Sequence, residues 1–464
     1  MKESCGLIGI YNNKEAARLA YFGLYALQHR GQEGAGIATW DGKKIREHRG
    51  MGLVAEVFNE RHLSIELKGD IAIGHVRYST TGASLLRNVQ PFITYFKGLH
   101  LAVGHNGNLV NTVELRRELE SKGALFQTTT DSEIFVHLAA HNLTGHTIEE
   151  ALSIACSKVK GAYSLLALVN DKLIAIRDPY GFRPLVIGRL GTSYVISSET
   201  CALDLLEAEY IREVEPGEMI VIDKGNLRSY FLENRQEKRR CCIFELIYFA
   251  RPDSTVFGKN IYITRKAMGM ALAEEAPVDA DFCMPFPDSG VYAAVGYVQR
   301  SGIPFETAMI RNHYVGRTFI QPSQDMRDFG VRMKLNPVKD MIKDKRIVII
   351  EDSIVRGTTI RSRIKKLREL GARELHLRVS CPPIKFPCFY GIDFSSKGEL
   401  IAANHTVKDI ERFIGLDSLY YLSLDGLIKA CGGEDNFCLA CFNGDYPVVP
   451  SKEYGKLFFD IFVG

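Results

Sequence analysis

The sequence lacks the features that mark several large classes of protein. No run approaches the roughly eighteen consecutive apolar residues of a membrane-spanning helix, and no apolar signal stretch or Arg-rich transit helix opens the chain. Excess charge is also missing, because 58 Lys and Arg residues face 55 Asp and Glu residues and leave a net charge of +3. We therefore expect no nucleic-acid partner, no membrane partner and a cytoplasmic location.

Internal repeats and low-complexity tracts are likewise missing. The 464 residues are 46% apolar and 24% charged, which is ordinary globular usage, and the length alone suggests about three domains. Eleven cysteines are the unusual feature. An odd number in a long chain argues against a secreted disulfide scaffold, so metal binding, catalysis or core packing must account for them.

The residue patterns divide the chain into two domains of different class. Short β-rich runs closed by turns dominate the first half, with a helix predicted over residues 15–27 and a hairpin over residues 163–177, which indicates an α+β domain. In the second half, an apolar strand at residues 346–351 is followed by a helix at 359–370 and a strand at 374–380, the βαβ pattern of a parallel α/β sheet. The apolar-free segment 233–240 predicts an exposed connection between them.

Residues 347–359 (IVIIEDSIVRGTT) are the most informative stretch of the second half. A buried strand ends in Glu351 and Asp352, and a loop rich in hydroxyl groups then opens a helix, whose backbone N–H groups form a natural phosphate cradle. Gly357 allows a close backbone approach. The two carboxylates would repel phosphate, so they are expected to bind ribose hydroxyls or a bridging Mg²⁺. The simpler alternative is an ordinary turn with an exposed acidic pair.

Cys5 begins an apolar strand near the start of the chain. If residues 1–4 are removed as a propeptide, its free α-amine, with a pKa near ~8, can act as the base for its own thiol. The alternative is a small buried hydrophobic residue. At the other end, Cys438 and Cys441 form a C-x₂-C pair that fits redox chemistry, zinc binding or chance.

The phosphate-loop string resembles the signature of type I phosphoribosyltransferases, and its SIVRGTT core resembles that of the amidophosphoribosyltransferase family. This family usually has Asp-Asp where the chain has Glu351-Asp352, so the negative charge is kept but the side chain at position 351 is one methylene longer. Residues 285–289 (PFPDS) match its pyrophosphate loop, and residues 314–322 match its flexible flap. The resemblance implies Mg²⁺ at Ser289, Glu351 and Asp352. It implies binding of phosphoribosyl pyrophosphate by Glu351, Asp352, Ser353, Ile354, Val355, Arg356, Gly357, Thr358 and Thr359.

Four motifs of the first half, at residues 29–36, 74–82, 104–108 and 130–133, resemble together with Cys5 the glutaminase half of class II amidotransferases. These are N-terminal-nucleophile hydrolases with an αββα sandwich. The resemblance implies that Cys5 is the nucleophile and that Asn106 and Gly107 form the oxyanion hole. Three residues are implied at the glutamine pocket: Arg77 for the α-carboxylate, Asp131 for the α-ammonium, and Arg30 as support and closure. We interpret His75 and His105 as structural.

The same family has a branch whose members ligate a [4Fe–4S] cluster. Four thiolates alone suit iron–sulfur or tetrahedral zinc, and the resemblance favours iron–sulfur. The implied ligands are Cys242, Cys388, Cys438 and Cys441. Neighbouring cysteines compete for three of these places, and the remaining three are expected in the core: Cys241, Cys381 and Cys431 are the competitors, and Cys156, Cys201 and Cys283 the core residues.

The resemblance implies residues 5–235 as a glutaminase domain and residues 236–464 as a phosphoribosyltransferase domain with a C-terminal cluster-binding segment. The implied reaction forms 5-phosphoribosylamine from glutamine, phosphoribosyl pyrophosphate and water, at the start of purine synthesis, with Tyr248 as a candidate wall of an ammonia passage. Purine nucleotides as inhibitors and a homotetramer are also implied. The alternative functions are an amidotransferase with another acceptor, a salvage phosphoribosyltransferase and a non-catalytic sensor.

Overall fold

The computed structural model describes residues 5–78, 82–96, 98–312, 335–394 and 396–450. The first half folds as two antiparallel sheets, with strand orders β11-β9-β10-β1-β4-β2-β3 and β13-β12-β8-β7-β6-β5. The strands are β1 (Gly6–Tyr11), β2 (Gly34–Trp40), β3 (Ile45–Met51), β4 (Ile71–Arg77), β5 (Phe92–Phe96), β6 (Leu99–Leu109), β7 (Gly161–Val169), β8 (Lys172–Arg177), β9 (Val186–Leu190), β10 (Ser193–Ser197), β11 (Glu209–Glu213), β12 (Glu218–Asp223) and β13 (Asn226–Phe231).

Helices cover the outer faces of both sheets. The helices are α1 (Ala16–Ala26), α2 (Val54–Val57), α3 (Thr112–Ser121), α4 (Glu133–Asn142), α5 (Ile148–Lys158) and α6 (Thr200–Leu205), with short turns at His62–Glu66 and Leu86–Asn88. In α1, Ala16, Ala20 and Leu24 recur every four residues and are fully buried against the first sheet, which is the amphipathic spacing predicted for residues 15–27. Helices α3, α4 and α5 pack on the second sheet.

A separate apolar layer lies between the two sheets. Leu7 and Ile73 of the first sheet share one buried cluster with Leu166 and Ile220 of the second. The order of layers is therefore helix, sheet, sheet, helix, and the predicted αββα sandwich is confirmed. The predicted hairpin is confirmed as well, because β7 and β8 pair antiparallel with Asn170 at a φ of +50° in the turn.

The second half is built on a four-stranded parallel sheet of order β17-β20-β21-β22. Strand β20 is central and buried on both faces, which explains its continuous apolar run. The strands are β14 (Cys241–Cys242), β15 (Thr255–Val256), β16 (Lys259–Asn260), β17 (Phe282–Pro285), β18 (Met309–Arg311), β19 (Leu335–Pro337), β20 (Arg346–Glu351), β21 (Glu374–Val379), β22 (Ser418–Tyr421) and β23 (Phe437–Cys438).

The helices of the second half flank this parallel sheet, so the predicted α/β class is confirmed. They are α7 (Ile261–Glu275), α8 (Val291–Ser301), α9 (Thr358–Glu369), α10 (Ile401–Asn404), α11 (Val407–Ile414), α12 (Leu424–Ala430) and α13 (Ala440–Asn443), with short turns at Glu245–Phe249, Lys339–Met341 and Lys397–Glu399.

The two halves share a core at their junction. Val110, Ala162 and Phe182 of the first half are buried in the main hydrophobic cluster of the second. Residues 233–240 are exposed or half-buried, as the sequence predicts for a connection. Among the described helices, none is long and apolar enough to cross a membrane.

Candidate active sites

Cys5 is buried just before β1, beside the end of strand β4. Its Sγ lies 3.3 Å from the Tyr78 carbonyl oxygen, to which the thiol donates, and 3.5 Å from the Tyr78 backbone nitrogen. Burial raises the pKa of the Cys5 thiol, and the charges of Glu33 and Asp131 act in the same direction while Arg77 opposes them. The resting group is therefore a neutral thiol, and the predicted role as a nucleophile would require a base.

Asn106 and Gly107 lie next to each other on β6. The Asn106 side chain is fully buried, and neither its Nδ2 nor its Oδ1 has a hydrogen-bond partner among the described residues. A buried amide without a hydrogen bond lowers stability by about 1–3 kcal/mol, so such a group is typical of a ligand-binding site. Gly107 has a φ of +148°, and a Cβ there would lie 2.0 Å from the Ala162 carbonyl oxygen, so only glycine fits.

Arg77 and Asp131 border the same site. Arg77 ends β4, and its Nη2 donates to the Ala83 carbonyl at 3.1 Å while Nη1 lies 3.4 Å from Glu33 Oε2. Asp131 precedes α4, and its Oδ2 accepts the Leu109 N–H at 2.8 Å. Both residues affect the pKa of Cys5, so the structure brings the two predicted head-group residues and the nucleophile together. Glu33, which sequence reasoning left without a role, joins them.

The two histidines near this site are both neutral. Burial lowers the pKa of His75 to about 3, and it also lowers the pKa of His105. His75 Nε2 lies 3.1 Å from the His105 carbonyl, and His105 Nδ1 lies 2.8 Å from Ser132 Oγ. A group with a pKa of about 3 is a poor proton acceptor at neutral pH, in agreement with the structural interpretation of His75.

Arg30 lies behind Cys5, the predicted nucleophile. Its Nε donates to the Cys5 carbonyl at 3.0 Å, its Nη2 to Glu245 Oε1 at 2.7 Å, and its Nη1 to Glu199. The arginine and both carboxylates are essentially inaccessible to solvent. These contacts direct the guanidinium to the backbone of Cys5 and to two carboxylates. Sequence reasoning missed Glu199 and Glu245, because neither stands in a recognisable motif.

The acidic pair of the second half stands at the carboxyl end of β20. Burial raises the pKa of the Glu351 carboxyl to about 8, although Arg363 lies 3.5 Å away, and Glu351 Oε2 has no partner among the described residues. Asp352 accepts a hydrogen bond from Ser353 Oγ. Gly357, with a φ of +73°, leads into α9, so the predicted loop and helix N-terminus are in place.

A cavity of about 1050 Å³ opens over this loop. Gln28, His29, Gln32 and Leu53 of the first half line one side of it. The predicted residues that line the other side are Ser289, Glu351, Asp352, Ser353, Val355, Arg356, Gly357, Thr358 and Thr359, together with Tyr248. Ile354 does not line the cavity, because its side chain is buried in the core.

Arg265 of α7 also lines this cavity and was missed by sequence reasoning. Its Nε donates to the Leu246 carbonyl at 2.9 Å and its Nη2 to the Ala250 carbonyl at 2.8 Å. Burial lowers the pKa of Arg265 to about 10. The arginine thus carries a positive charge in the cavity wall and holds both ends of the short turn that carries Tyr248. No sequence motif contains it, so only the packing could reveal it.

The four predicted cluster cysteines lie together. Strand β14 pairs in parallel with β23, which places Cys242 directly opposite Cys438. Burial raises the pKa of Cys438 and Cys441, and the neighbouring thiols Cys242 and Cys388 raise both further. Cys388 Sγ accepts the Tyr390 N–H at 3.4 Å, a contact typical of thiolate ligands.

Of the competing cysteines, Cys241 lies beside the Arg177 guanidinium, with Nη2 4.0 Å from its Sγ. Within the part of the chain that the structure describes, no three of the four cluster cysteines have all their sulfur atoms within 4.8 Å of one another. A single tetrahedral zinc with Zn–S bonds of about 2.3 Å requires sulfur atoms roughly 3.8 Å apart. The four sulfur atoms are therefore not arranged as the ligands of a single zinc ion in this structure.

His48, His62 and Glu66 do have ligand atoms within 4.8 Å of one another. The two imidazole rings, however, are stacked with centroids 3.6 Å apart and planes 25° apart. A metal binds in the plane of an imidazole ring, so stacked rings do not converge on one ion. His48 Nε2 is also 3.0 Å from the Val57 carbonyl, and Glu66 pairs with Arg61. We interpret this group as a packed histidine pair.

These two sites define an enzyme that pairs a class II glutaminase with a phosphoribosyltransferase. The glutamine amidotransferase domain family matches residues 75–205. Amidophosphoribosyltransferase 1, chloroplastic, from Arabidopsis thaliana is 52% identical over 97% of the chain and 80% of its own length. The amidophosphoribosyltransferase of Methanocaldococcus jannaschii is 50% identical over 96% of the chain and 97% of its own length.

Solved structures agree over the whole fold. The glutamine phosphoribosylpyrophosphate amidotransferase from B. subtilis, complexed with ADP and GMP, superposes with a TM-score of 0.91 at 47% identity, covering 97% of the chain and 99% of that structure. An allosteric regulatory enzyme of purine biosynthesis gives a TM-score of 0.92 at 47% identity, with 97% of each chain covered. The chain belongs to the amidophosphoribosyltransferase family and is a glutamine amidotransferase and pentosyltransferase enzyme.

Proposed function

We propose that the two sites carry the two half-reactions of an amidophosphoribosyltransferase. The overall reaction joins phosphoribosyl pyrophosphate, glutamine and water into 5-phosphoribosylamine, pyrophosphate and glutamate, as the first step of purine nucleotide synthesis. The observation that carries this assignment is the cavity of about 1050 Å³ that residues of both halves line. Ammonia released in the first half is used in the second, and a passage that ends at this cavity would keep it from being protonated in bulk water.

In the first site, the Cys5 thiolate attacks the side-chain carbonyl of glutamine and forms a thioester. Asn106 Nδ2 and the Gly107 N–H stabilise the oxyanion, a contribution of about 3–4 kcal/mol for one donor. Arg77 binds the α-carboxylate and Asp131 the α-ammonium. Because His75 is a poor proton acceptor, the base is the α-amine of Cys5 after removal of residues 1–4, which lie outside the described residues.

In the second site, the N–H groups and hydroxyls of residues 353–359 bind the phosphate of the sugar, aided by the N-terminus of α9. Glu351, Asp352 and Ser289 would hold Mg²⁺, and the ion would supply positive charge to neutralise the leaving pyrophosphate. The unpartnered Glu351 Oε2 and its raised pKa fit this role, since a cation there would favour the ionised carboxylate. The predicted flap, residues 314–322, lies outside the described residues.

Cys242, Cys388, Cys438 and Cys441 would hold a [4Fe–4S] cluster. Four buried thiols with raised pKa values require a strong cation to ionise, and the family resemblance favours a four-iron core over a single zinc. The step from glutamine to phosphoribosylamine transfers no electrons. The cluster is therefore structural in this proposal, or sensitive to oxygen.

Two variants test the proposed function in one assay. Cys5→Ala is expected to abolish synthesis from glutamine and to retain synthesis from added ammonium salts, because only the first site is lost. Asp352→Asn is expected to abolish both. If Cys5→Ala kept the wild-type rate with glutamine, the mechanism would be contradicted. An intact mass that begins at Met1 in the active enzyme would contradict the assignment of the base.

Metal analysis tests the cluster. We expect about four iron and four acid-labile sulfide per chain and little zinc. Cys242→Ser is expected to lose the iron, whereas the adjacent Cys241→Ser, the matched control, is expected to keep it because Cys241 faces Arg177. One zinc per chain without sulfide would contradict the assignment, as would equal iron loss in both variants.

Purine nucleotides are proposed as feedback inhibitors, supported by the ADP and GMP complex of the B. subtilis relative. Inhibition assays with adenine and guanine nucleotides test this. The proposed homotetramer rests on the family resemblance alone, and analytical ultracentrifugation tests it. The cytoplasmic location is likewise a proposal, and the plant relatives are chloroplastic by name.

A further inference from the structure

A loop of the second half packs directly on the proposed oxyanion-hole strand of the first. Asn108 Nδ2 donates to the Phe389 carbonyl at 2.9 Å. Gly391, with a φ of +105°, lies so close that a Cβ there would be 3.2 Å from the carbonyl carbon of Gly107 and 3.3 Å from its oxygen. Residues 388–391, which we name the buttress loop, therefore touch the backbone of the residue that is expected to donate to the oxyanion.

A second connection runs from the buttress loop to the nucleophile. Arg183 Nη2 donates to the Tyr390 carbonyl at 2.8 Å, and Arg183 Nη1 donates to Glu245 Oε1 at 2.9 Å. Glu245 also accepts two hydrogen bonds from Arg30, at 2.7 and 3.0 Å, and Arg30 Nε holds the Cys5 carbonyl. The side chains of Arg30, Arg183 and Glu245 are completely buried.

Burial gives this ion network a fixed geometry. Because the network is buried, water cannot take the place of the Glu245 carboxylate. Removing the charge of this carboxylate would therefore leave two buried arginines with weaker ion pairs. Glu245 belongs to the second half of the chain, yet its partners reach the backbone on which the thiol is mounted. The glutaminase site is thus held from both sides by residues that follow the first domain in sequence.

We infer that Glu245 and the buttress loop are positioning elements of the glutaminase site, and that the first domain alone does not complete that site. The inference rests on the proposed roles of Cys5, Asn106 and Gly107. Oxyanion donors act only when they are held within hydrogen-bond distance of the developing charge, and small displacements are costly. Arg77 and Asp131, which bind the substrate head, lie outside this network.

A displaced oxyanion hole should lower kcat for glutamine and leave KM nearly unchanged, because its donors act mainly in the transition state. Synthesis from ammonium salts should be unaffected, since it does not use Cys5. This pattern separates positioning from general loss of structure, which would lower both activities.

The first test is Gly391→Ala, which places a methyl group 2.8 Å from Arg183 Nη2 and 3.2 Å from the Gly107 carbonyl carbon, so it presses on both connections of the buttress loop. We expect kcat with glutamine to fall about 10- to 100-fold, KM to change less than about 2-fold, and ammonium-dependent synthesis to persist. Gly415→Ala is the matched control, because Gly415 has a similar φ of +88° but nothing within 4 Å of the added carbon. Equal kinetics of the two variants would overturn the inference.

The second test is Glu245→Gln, which keeps the shape of the side chain and removes its charge. We expect a fall of about 10-fold or more in kcat with glutamine, again with ammonium-dependent synthesis retained. The control Glu218→Gln removes an equally buried carboxylate that pairs with Arg212 at 2.7 Å, away from Cys5. A parallel loss of both activities in Glu245→Gln, or the same kcat loss in Glu218→Gln, would overturn the inference.

The wild-type assay distinguishes this inference from the proposed function. If the wild-type enzyme made phosphoribosylamine from neither glutamine nor ammonium, the proposed function would fail. If it used both, and Gly391→Ala matched Gly415→Ala, only the positioning role would fail.

Discussion

The two candidate sites differ in how completely they are formed without a substrate. The first lies among strands, its backbone positions are set by sheet pairing, and its side chains are buried. The second lies on a loop at the edge of a cavity of about 1050 Å³, and its Glu351 carboxylate has no partner for Oε2 in the described residues. In the proposed function, the first site offers preformed donors, and the second offers a buried acid that a cation would stabilise in its ionised form.

The difference follows from what each substrate presents. The reacting amide of glutamine is neutral, so its site must place donors where charge will develop. Phosphoribosyl pyrophosphate is highly charged before reaction, so its site combines N–H groups with carboxylates that would bind a metal ion. In this proposal, a site of preformed donors serves the neutral group, and a site completed by ligands serves the charged one.

The largest expected effect concerns the preformed donors. Asn106→Ala should lower kcat with glutamine about 100- to 1000-fold, with little change in KM, because it removes one oxyanion donor. Since the Asn106 amide makes no hydrogen bond among the described residues, stability should fall little. Steady-state glutaminase assays and thermal unfolding measure the two quantities. A pronounced rise in KM instead would place Asn106 at the substrate head and weaken the comparison.

An intermediate effect, on KM, is expected where Arg77 would bind the α-carboxylate of glutamine. Arg77→Lys should raise KM for glutamine roughly 10-fold, about 1.4 kcal/mol, because lysine loses the bidentate contact with the α-carboxylate. The dependence on phosphoribosyl pyrophosphate concentration should stay unchanged in the same assay. A change in that dependence would mean that the glutamine pocket is coupled to the phosphoribosyl pyrophosphate site.

A separate effect, on stability and not on kinetics, concerns the uncompensated acid. Burial raises the pKa of the Glu351 carboxyl from 4.5 to about 8, so between these pH values the folded chain holds a proton that the unfolded chain has released. The free energy of unfolding should therefore fall as pH rises through this window, by at most about 1.4 kcal/mol per pH unit. In Glu351→Gln this fall should vanish, as urea unfolding without divalent cations would measure.

Mg²⁺ binding provides the converse measurement. If Glu351 is at the metal, the affinity of the wild-type protein for Mg²⁺ should rise with pH up to about 8, because the ion displaces the proton. Calorimetric titration of Glu351→Gln should give an affinity that depends little on pH. Parallel pH curves for the two proteins would remove Glu351 from the metal site.

Local patterns predicted much of the fold. The apolar strand at residues 346–351 and the hydroxyl-rich loop after it are read from neighbouring residues, and β20 and α9 lie where the sequence places them. The cysteine group was assigned through family resemblance, and the pairing of β14 with β23 brings Cys242 opposite Cys438.

The supports of the first site could not be predicted in this way. Glu245 is about 215 residues from Arg30 in sequence, and Gly391 meets Gly107 across a still longer separation. Neither contact has a periodicity or a motif, because each depends on how two folded halves dock. The role of Arg30 illustrates the point: the sequence indicated its place beside the site, and only the packing revealed the carboxylates that hold it.

The two-residue pairing of β14 with β23 joins segments about 200 residues apart, and almost all of the second half lies between them. Bonds from Cys242 and Cys438 to one inorganic core would turn this small contact into a cross-link that closes a very long loop. A closure of this length restricts the unfolded chain strongly, by an amount comparable to the ~4–5 kcal/mol of a long disulfide loop. The contribution of the cluster to the free energy of unfolding would then come more from the lower entropy of the unfolded second half than from added native contacts.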